Sequence, residues 1–226
     1  MQPWYAIITA AGAGVRMNTP LPKQFLPLLG KPVLMHTIEA FLRVQLNMQI
    51  ILVLPREQMD YWAQLCQEHH FNHPLQLAEG GPTRFHSVKN GLRLVPDNHL
   101  VAIHDGVRPL VAPQTIKEAF HLADKFGNAI PVVKINESVR IIENAFNRPI
   151  DRQAVRIVQT PQCFRSSPIK QAYNVNFHET FTDDASVLEK TGERIYLSEG
   201  NKENIKITTP EDFLIAEAIL KMGVNK

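Results

Sequence analysis

Arg16 and Lys23 follow two glycines, Gly12 and Gly14, in the segment Ala10–Lys23 (AAGAGVRMNTPLPK). Glycines after an apolar run let successive backbone N–H groups turn toward an anion. Two cations alongside cover more negative charge than one monophosphate carries, so the chemistry suggested is retention of a nucleotide triphosphate. Two familiar nucleotide loops fail on residue type. A dinucleotide fingerprint needs a third glycine, where Met17 stands, and an acidic residue about 20 positions on. A Walker A loop needs Gly-Lys-Ser/Thr, but Gly30-Lys31 runs into Pro32. Read alone, a tight turn with two surface cations also accounts for the segment.

Three further groupings carry donors and charges. In Gly80-Gly81-Pro82-Thr83-Arg84-Phe85-His86-Ser87, two glycines permit close approach of a flat ligand. Arg84 and Ser87 are three apart and share a helix face. A plain glycine-rich helix entry is the alternative. In Ile103-His104-Asp105-Gly106-Val107-Arg108-Pro109, an aspartate ends an apolar run, where open α/β sheets place ligand-binding groups. Asp105 suits Mg²⁺, a hard cation held by one or two carboxylates plus phosphates, and Arg108 can meet a second anion. Alternatively Asp105 caps the next helix and pairs with Arg108. Arg152 is a further candidate anion binder, and Lys206, in the apolar run Asn204-Ile205-Lys206-Ile207-Thr208, is either on an exposed strand edge or aimed at a ligand.

These residues need a scaffold. Strands are expected at Trp4–Thr9, Ile50–Leu54, Leu75–Ala78, Leu100–His104, Ala129–Ile135, Ile195–Leu197 and Ile205–Ile207, several of them continuous apolar runs as in sheets covered on both faces. Helical spacing marks Val33–Val44, a segment near Glu57–Glu68, the stripe Phe85, Val88 and Leu92, and Gln114–Phe126. Ser167 before Pro168 reads as an N-cap with proline at the first helical position. Asp183 and Asp184 place acid in the first turn of another helix. Thr209-Pro210-Glu211-Asp212 starts the last helix, with a stripe at Phe213, Ala216, Ile219 and Leu220. Alternating strands and helices predict an α/β chain with a mostly parallel, doubly wound sheet. Between residues 136 and 161, the β-branched runs Ser138–Ile142 and Ala154–Thr160 flank a polar stretch. That pattern predicts a hairpin or arm leaving the main sheet.

Composition bounds the function. The chain of 226 residues fits one α/β domain spanning 1–226. A net charge of +2 is too small to imply nucleic acid as the main partner. Two cysteines, Cys66 and Cys163, form no CxxC pair, and a reducing cytoplasm fits them. Apolar runs fall short of the roughly 20 residues of a membrane helix, and the N-terminus lacks a secretory pattern. Trp4 and Trp62 read as packing residues.

The motifs AAGAGVRM, LPKQF with LGKPVLMHTIEAF, GGPTRFHSV, HDGVRP, the arm, TPQCF, TDDAS and EGNKENIKITTPEDF occur in an order that resembles the 2-C-methyl-D-erythritol 4-phosphate cytidylyltransferases of the non-mevalonate isoprenoid pathway. The resemblance covers essentially the whole chain. It implies a Rossmann-like nucleotidyltransferase fold, use of CTP and Mg²⁺, a polyol phosphate acceptor, and a homodimer formed through the 136–161 arm. It further implies that Ala10, Ala11, Gly12 and Gly14 line the nucleotide, and that Arg16 and Lys23 stabilise charge on the reacting phosphates. Gly81, Arg84 and Ser87 would meet the cytidine end, and Asp105 the metal and the ribose region. Arg108, Thr182 and Lys206 would hold the acceptor, while Arg152, Ser138 and Thr160 would reach that pocket from the arm. Pro82 stands where the family usually has aspartate and lacks an N–H to offer the base. Ribitol-5-phosphate cytidylyltransferase is the neighbouring alternative, and a non-catalytic nucleotide-binding regulatory subunit the alternative of another class.

Overall fold

The computed structural model describes residues 3–12, 21–44, 47–143 and 146–223. The chain opens with β1 (Trp4–Thr9), whose alternating side chains enter both faces of the sheet. A 3-10 turn at Lys23–Phe25 and the short strands β2 (Pro27–Leu28) and β3 (Lys31–Pro32) lead into α1 (Val33–Leu42). Then come β4 (Met48–Leu54), α2 (Met59–Glu68), β5 (Gln76–Glu79), α3 (Arg84–Leu92), β6 (Leu100–Asp105), α4 (Pro113–Phe126) and β7 (Asn128–Lys134). The second half holds β8 (Val139–Glu143), β9 (Phe146–Ile150), β10 (Arg156–Val158), β11 (Gln162–Arg165), α5 (Ser166–Ala172), α6 (Asp184–Glu189), β12 (Leu197–Glu199) and α7 (Pro210–Lys221).

The main sheet runs β10-β7-β11-β6-β1-β4-β5, with β12 beside β7. β1 is parallel to both β4 and β6, and β4 to β5. β11 enters antiparallel between β6 and β7, so the sheet is mixed but mostly parallel. Period-two alternation along β1 divides the core. Ala6 and Ile8 pack with Leu34, Ile38 and Phe41 of α1, Trp62 of α2 and Phe120 of α4. Tyr5 and Ile7 pack on the opposite face with Phe85, Val88 and Leu92 of α3, Ile169 of α5 and Leu188 of α6. Helices thus cover both faces, the doubly wound arrangement that the continuous apolar strands predict. Trp4 stacks on Phe120 at 4.5 Å and Trp62 is buried against Phe71, so both tryptophans pack. Among the described residues, no helix is long and apolar enough to cross a membrane.

Four local expectations change. Ile205–Ile207 forms no strand; one backbone bond, Ile207 N–H to the Val107 carbonyl at 2.9 Å, ties it to the loop after β6, and a loop offers no ladder to extend. Its apolar character instead fills a small cluster in which Ile207 meets Val107, Leu110 and Ala216. The strand expected at Ile195–Leu197 starts two residues later, because the Asn128 side-chain oxygen takes the Tyr196 N–H at 3.0 Å in place of a ladder bond. Ser167 does not cap α5. Its hydroxyl accepts the Asn98 N–H at 3.0 Å, Ser166 takes that of His99, and the helix begins at Ser166. The hairpin joins β8 to β9, with Val139 opposite Ile150 and Glu143 opposite Phe146. Its second strand therefore lies inside the polar stretch. Arg156–Val158, expected to flank the hairpin, pairs instead with Val132–Lys134 of the main sheet.

Candidate active site

Thr9 and Asp105 are register partners at the carboxyl ends of β1 and β6. Beyond them the loops after β1, β5 and β6 converge, as expected of a ligand crevice in an open α/β sheet. Backbone bonds set the approach: Ala10 N–H to Val53, Gly106 N–H to Thr9 and Gly80 N–H to Leu54, at 2.8–2.9 Å. A Cβ added to Gly80 would sit 2.6 Å from the Ala11 Cβ, so glycine there lets two loops touch. That close approach is between two loops of the protein, while Gly81 lines the cavity beside it. Gln24, fully buried, donates its amide to the Ala10 carbonyl and to Gln58, each at 2.9 Å, and so pins the 3-10 turn carrying Lys23 against the first loop.

A cavity of about 360 Å³ lies at this junction. Its lining includes Ala10, Ala11, Gly12, Lys23, Gly81, Arg84, Ser87, Asp105 and Lys206 from among the residues singled out by sequence, joined by Thr9, Gln24, Pro82, Thr83 and Val107. Gly14 and Arg16 lie outside the described residues. Ser87 reaches the cavity but its hydroxyl is engaged: it accepts the Gly81 N–H and donates to the Thr83 carbonyl, each at 3.0 Å. It braces the Gly80-Gly81 turn, while Thr83 caps α3 by accepting the His86 N–H.

Asp105 is the electrostatic centre. Its Oδ2 meets Arg108 Nε at 3.2 Å and Lys206 Nζ at 3.0 Å, and its Oδ1 meets Arg84 Nε at 3.3 Å. Burial alone would raise its pKa, but Arg84, Lys206 and Arg108 override burial and hold the carboxyl well below the usual carboxylate range. Arg108 also donates to the Asn204 carbonyl at 2.8 Å, which ties the loop after β6 to the segment carrying Lys206. Arg84 gives both terminal nitrogens to Asp184, at 2.7 and 2.8 Å. Asp184 was expected to serve the α6 dipole. Asp183 does the capping, accepting the Ser186 N–H at 2.9 Å, and Asp184 is wholly buried.

Behind Asp105 lies a relay of fixed direction. His104 Nε2 is 3.1 Å from the Arg108 carbonyl, which can only accept, so Nε2 carries the proton. Nδ1 then accepts from the Thr160 hydroxyl at 2.9 Å, and that oxygen accepts the Asp105 N–H at 3.2 Å. Burial pulls the His104 ring down to about 4, consistent with this neutral tautomer. Thr160 is therefore a buried support for Asp105 and not one of the residues lining the cavity. Arg108 is likewise outside the lining. Thr182 is exposed and borders a separate aromatic recess of about 190 Å³ with Arg84 and Phe181. Ser138 and Arg152 sit exposed at the root of the hairpin, where Arg152 donates to the Asn136 carbonyl at 2.6 Å, and neither lines this chain's cavity.

Gln24 and Asp184 are the supports that residue types alone did not reveal. A second acid beside a capping aspartate was the available signal for Asp184, since one carboxylate suffices for the cap.

Known proteins share this fold. The family model for 2-C-methyl-D-erythritol 4-phosphate cytidylyltransferase matches residues 4–222. Relatives bearing that name from Bacteroides thetaiotaomicron and Bacteroides fragilis are 54% and 53% identical, each alignment covering 95% of this chain and 98% of the relative. The crystal structure of 4-diphosphocytidyl-2C-methyl-D-erythritol synthase from Anaerococcus prevotii superposes with a TM-score of 0.83 at 30% identity, covering 97% of this chain and 96% of that one. The cytidylyltransferase of Thermus thermophilus gives 0.75 at 28% identity, covering 98% and 100%. With a single family model spanning the sheet, the cavity loops and the closing helix, the chain belongs to the 2-C-methyl-D-erythritol 4-phosphate cytidylyltransferase family.

Proposed function

We propose that this chain transfers CMP from CTP to 2-C-methyl-D-erythritol 4-phosphate, giving 4-diphosphocytidyl-2-C-methyl-D-erythritol and pyrophosphate. The observation that carries the reading, beside family membership, is one cavity gathering the first glycine loop, Lys23, Arg84, Asp105 and Lys206. A phosphate monoester has its second pKa near about 6, so the acceptor is largely dianionic at neutral pH. Its oxygen attacks the α-phosphorus of CTP, the bond from that phosphorus to the β-phosphate bridge breaks, and pyrophosphate leaves in line. No protein nucleophile is required. The obstacle is a dianion approaching a polyanion, so positioning and cationic stabilisation are the enzyme's task.

The residues divide by that task. Ala10–Gly12 and Gly14 hold the nucleotide phosphates, and Lys23 with Arg16 neutralises charge building on them. Arg84, Gly81 and Ser87 form the nucleoside end. Lys206 orients the acceptor phosphate from the cavity lining, Arg108 holds Asp105 and the Asn204 carbonyl beside it, and Thr182 would meet the acceptor from the neighbouring recess. The donor set suits Mg²⁺: Asp105 is a hard, ionised oxygen ligand, and its Oδ1 has the longer contact, to an Arg84 whose terminal nitrogens Asp184 already holds. Asp105 would hold Mg²⁺, which would supply further neutralisation of phosphate charge.

Arg152, Ser138 and the hairpin serve the second site of a homodimer in this reading. A two-stranded hairpin is marginal by itself, and Ile142 and Phe146 are 76% and 80% exposed at its end. Light scattering is expected to give twice the chain mass, and a monomer would remove the shared site. The function is tested by pyrophosphate release with CTP and Mg²⁺. Methylerythritol phosphate is expected to support turnover at least a hundredfold faster than ribitol 5-phosphate. The reverse preference would overturn the acceptor, and release with neither would leave a nucleotide-binding subunit.

A further inference from the structure

Asp184 stands in the first turn of α6, as expected, but does not make the cap. Asp183, not Asp184, caps α6, and Asp183 is itself held by the buried Gln162, whose amide reaches Asp183 Oδ2 at 2.8 Å while its oxygen accepts the Ala185 N–H at 2.9 Å. The first turn of α6 is thereby fastened to β11. That leaves the Asp184 side chain, 0% exposed, bonded to partners outside α6. Arg84 gives it two parallel bonds at 2.7 and 2.8 Å, and the Tyr173 hydroxyl a third at 2.7 Å. Tyr173 is buried in its turn and stacks on Phe85, the residue after Arg84, at 4.6 Å.

A guanidinium has a planar fork whose orientation is set by whichever carboxylate fills both prongs. Here both prongs are filled by Asp184 of α6, and Arg84, with 31% of its side chain exposed, lines the cavity. Burying a carboxylate is costly unless it is paired, so the Arg84–Asp184 pair resists rearrangement when ligand enters. We infer that Asp184 and Tyr173 are positioning residues that fix the Arg84 guanidinium in the nucleotide end of the cavity, so that binding of CTP depends on the first turn of α6. The inference rests on the reading of Arg84 as a nucleotide contact.

The test is a double-mutant cycle in the full-length protein, read by pyrophosphate release with CTP, Mg²⁺ and methylerythritol phosphate. Release by the unaltered protein is measured first; its absence would fail the proposed function and not the Asp184 assignment. Asp184→Asn keeps the shape of the side chain and removes the charge and one prong. It is expected to raise KM for CTP about tenfold and to leave KM for the acceptor within about twofold. In an Arg84→Ala background, the same substitution is expected to change kcat/KM for CTP by less than about twofold, since nothing remains to position. Equal losses in both backgrounds, or a rise in acceptor KM as large as that for CTP, would show a merely structural role. If either variant does not fold, Tyr173→Phe decides: a rise of about threefold in KM for CTP alone supports positioning, and an unchanged KM overturns it.

Discussion

Lys23→Ala is expected to lower turnover by about a hundredfold or more while leaving the fold intact. Removing one preorganised donor from a site of developing charge costs about 3–4 kcal/mol of barrier in comparable systems. Lys23 stands on a 3-10 turn whose attachment is made by its neighbours: Gln24 bonds to Ala10 and Gln58, and Phe25 is buried against Trp62. Truncating the lysine leaves those ties untouched. The melting temperature should therefore move by less than about 3 °C, the shift expected from a change below 1 kcal/mol in a chain of this size. Stopped-flow pyrophosphate release and a thermal melt on the same preparation check both halves. Turnover within threefold of the unaltered protein, in a folded variant, would remove Lys23 from the catalytic assignment.

Asp105→Asn should damage both activity and stability. The substitution removes the one anion that three cations share, leaving Arg84, Arg108 and Lys206 facing an uncharged amide. Breaking a buried pair by removing one partner costs about 3 kcal/mol or more, equivalent to a fall of about 6–12 °C in melting temperature. Turnover should fall about a thousandfold, because the proposed metal ligand and the orientation of Lys206 go together. The acid limb of stability should change as well. Asp105 has its folded pKa held down, so its contribution is present above the ordinary carboxylate range and is lost as pH falls below about 4. His104 acts in a higher window. Its ring falls from an ordinary value near 6.5 to about 4, so about 3 kcal/mol of stability is lost as pH drops between those values. Urea unfolding across pH should thus show the lower limb removed in Asp105→Asn and the upper limb retained. A variant as stable as the parent at pH 7 would contradict the three-cation geometry.

Much of the scaffold was legible because apolar residues recur at the periods that sheets and helices demand. β1 lies where the apolar run ends on the glycine loop, and α7 begins at the Thr209-Pro210 cap with Asp212 returning the bond. Period failed where pairing depends on a distant partner. The run Ile205–Ile207 alternates like a strand but finds no ladder: its one backbone bond to the loop after β6 is Ile207 N–H to the Val107 carbonyl. Arg148 and Pro149 look like turn material, yet β8 pairs with them as a strand.

The site divides along the same line. Local sequence determined which chemistry was available: glycines before Lys23, an aspartate at the end of β6, and an arginine at the start of α3 report themselves by type and spacing, because phosphate binding needs N–H groups and cations near a strand end. It did not determine what those groups face. Only the tertiary structure decided that Arg84 answers to Asp184, 100 residues on, and that Thr160 holds His104 and the Asp105 backbone from behind. The reason is physical. A charge's partner is set by which strands lie side by side and by the cost of leaving a buried carboxylate unpaired, and neither quantity is written in the spacing of residues along the chain.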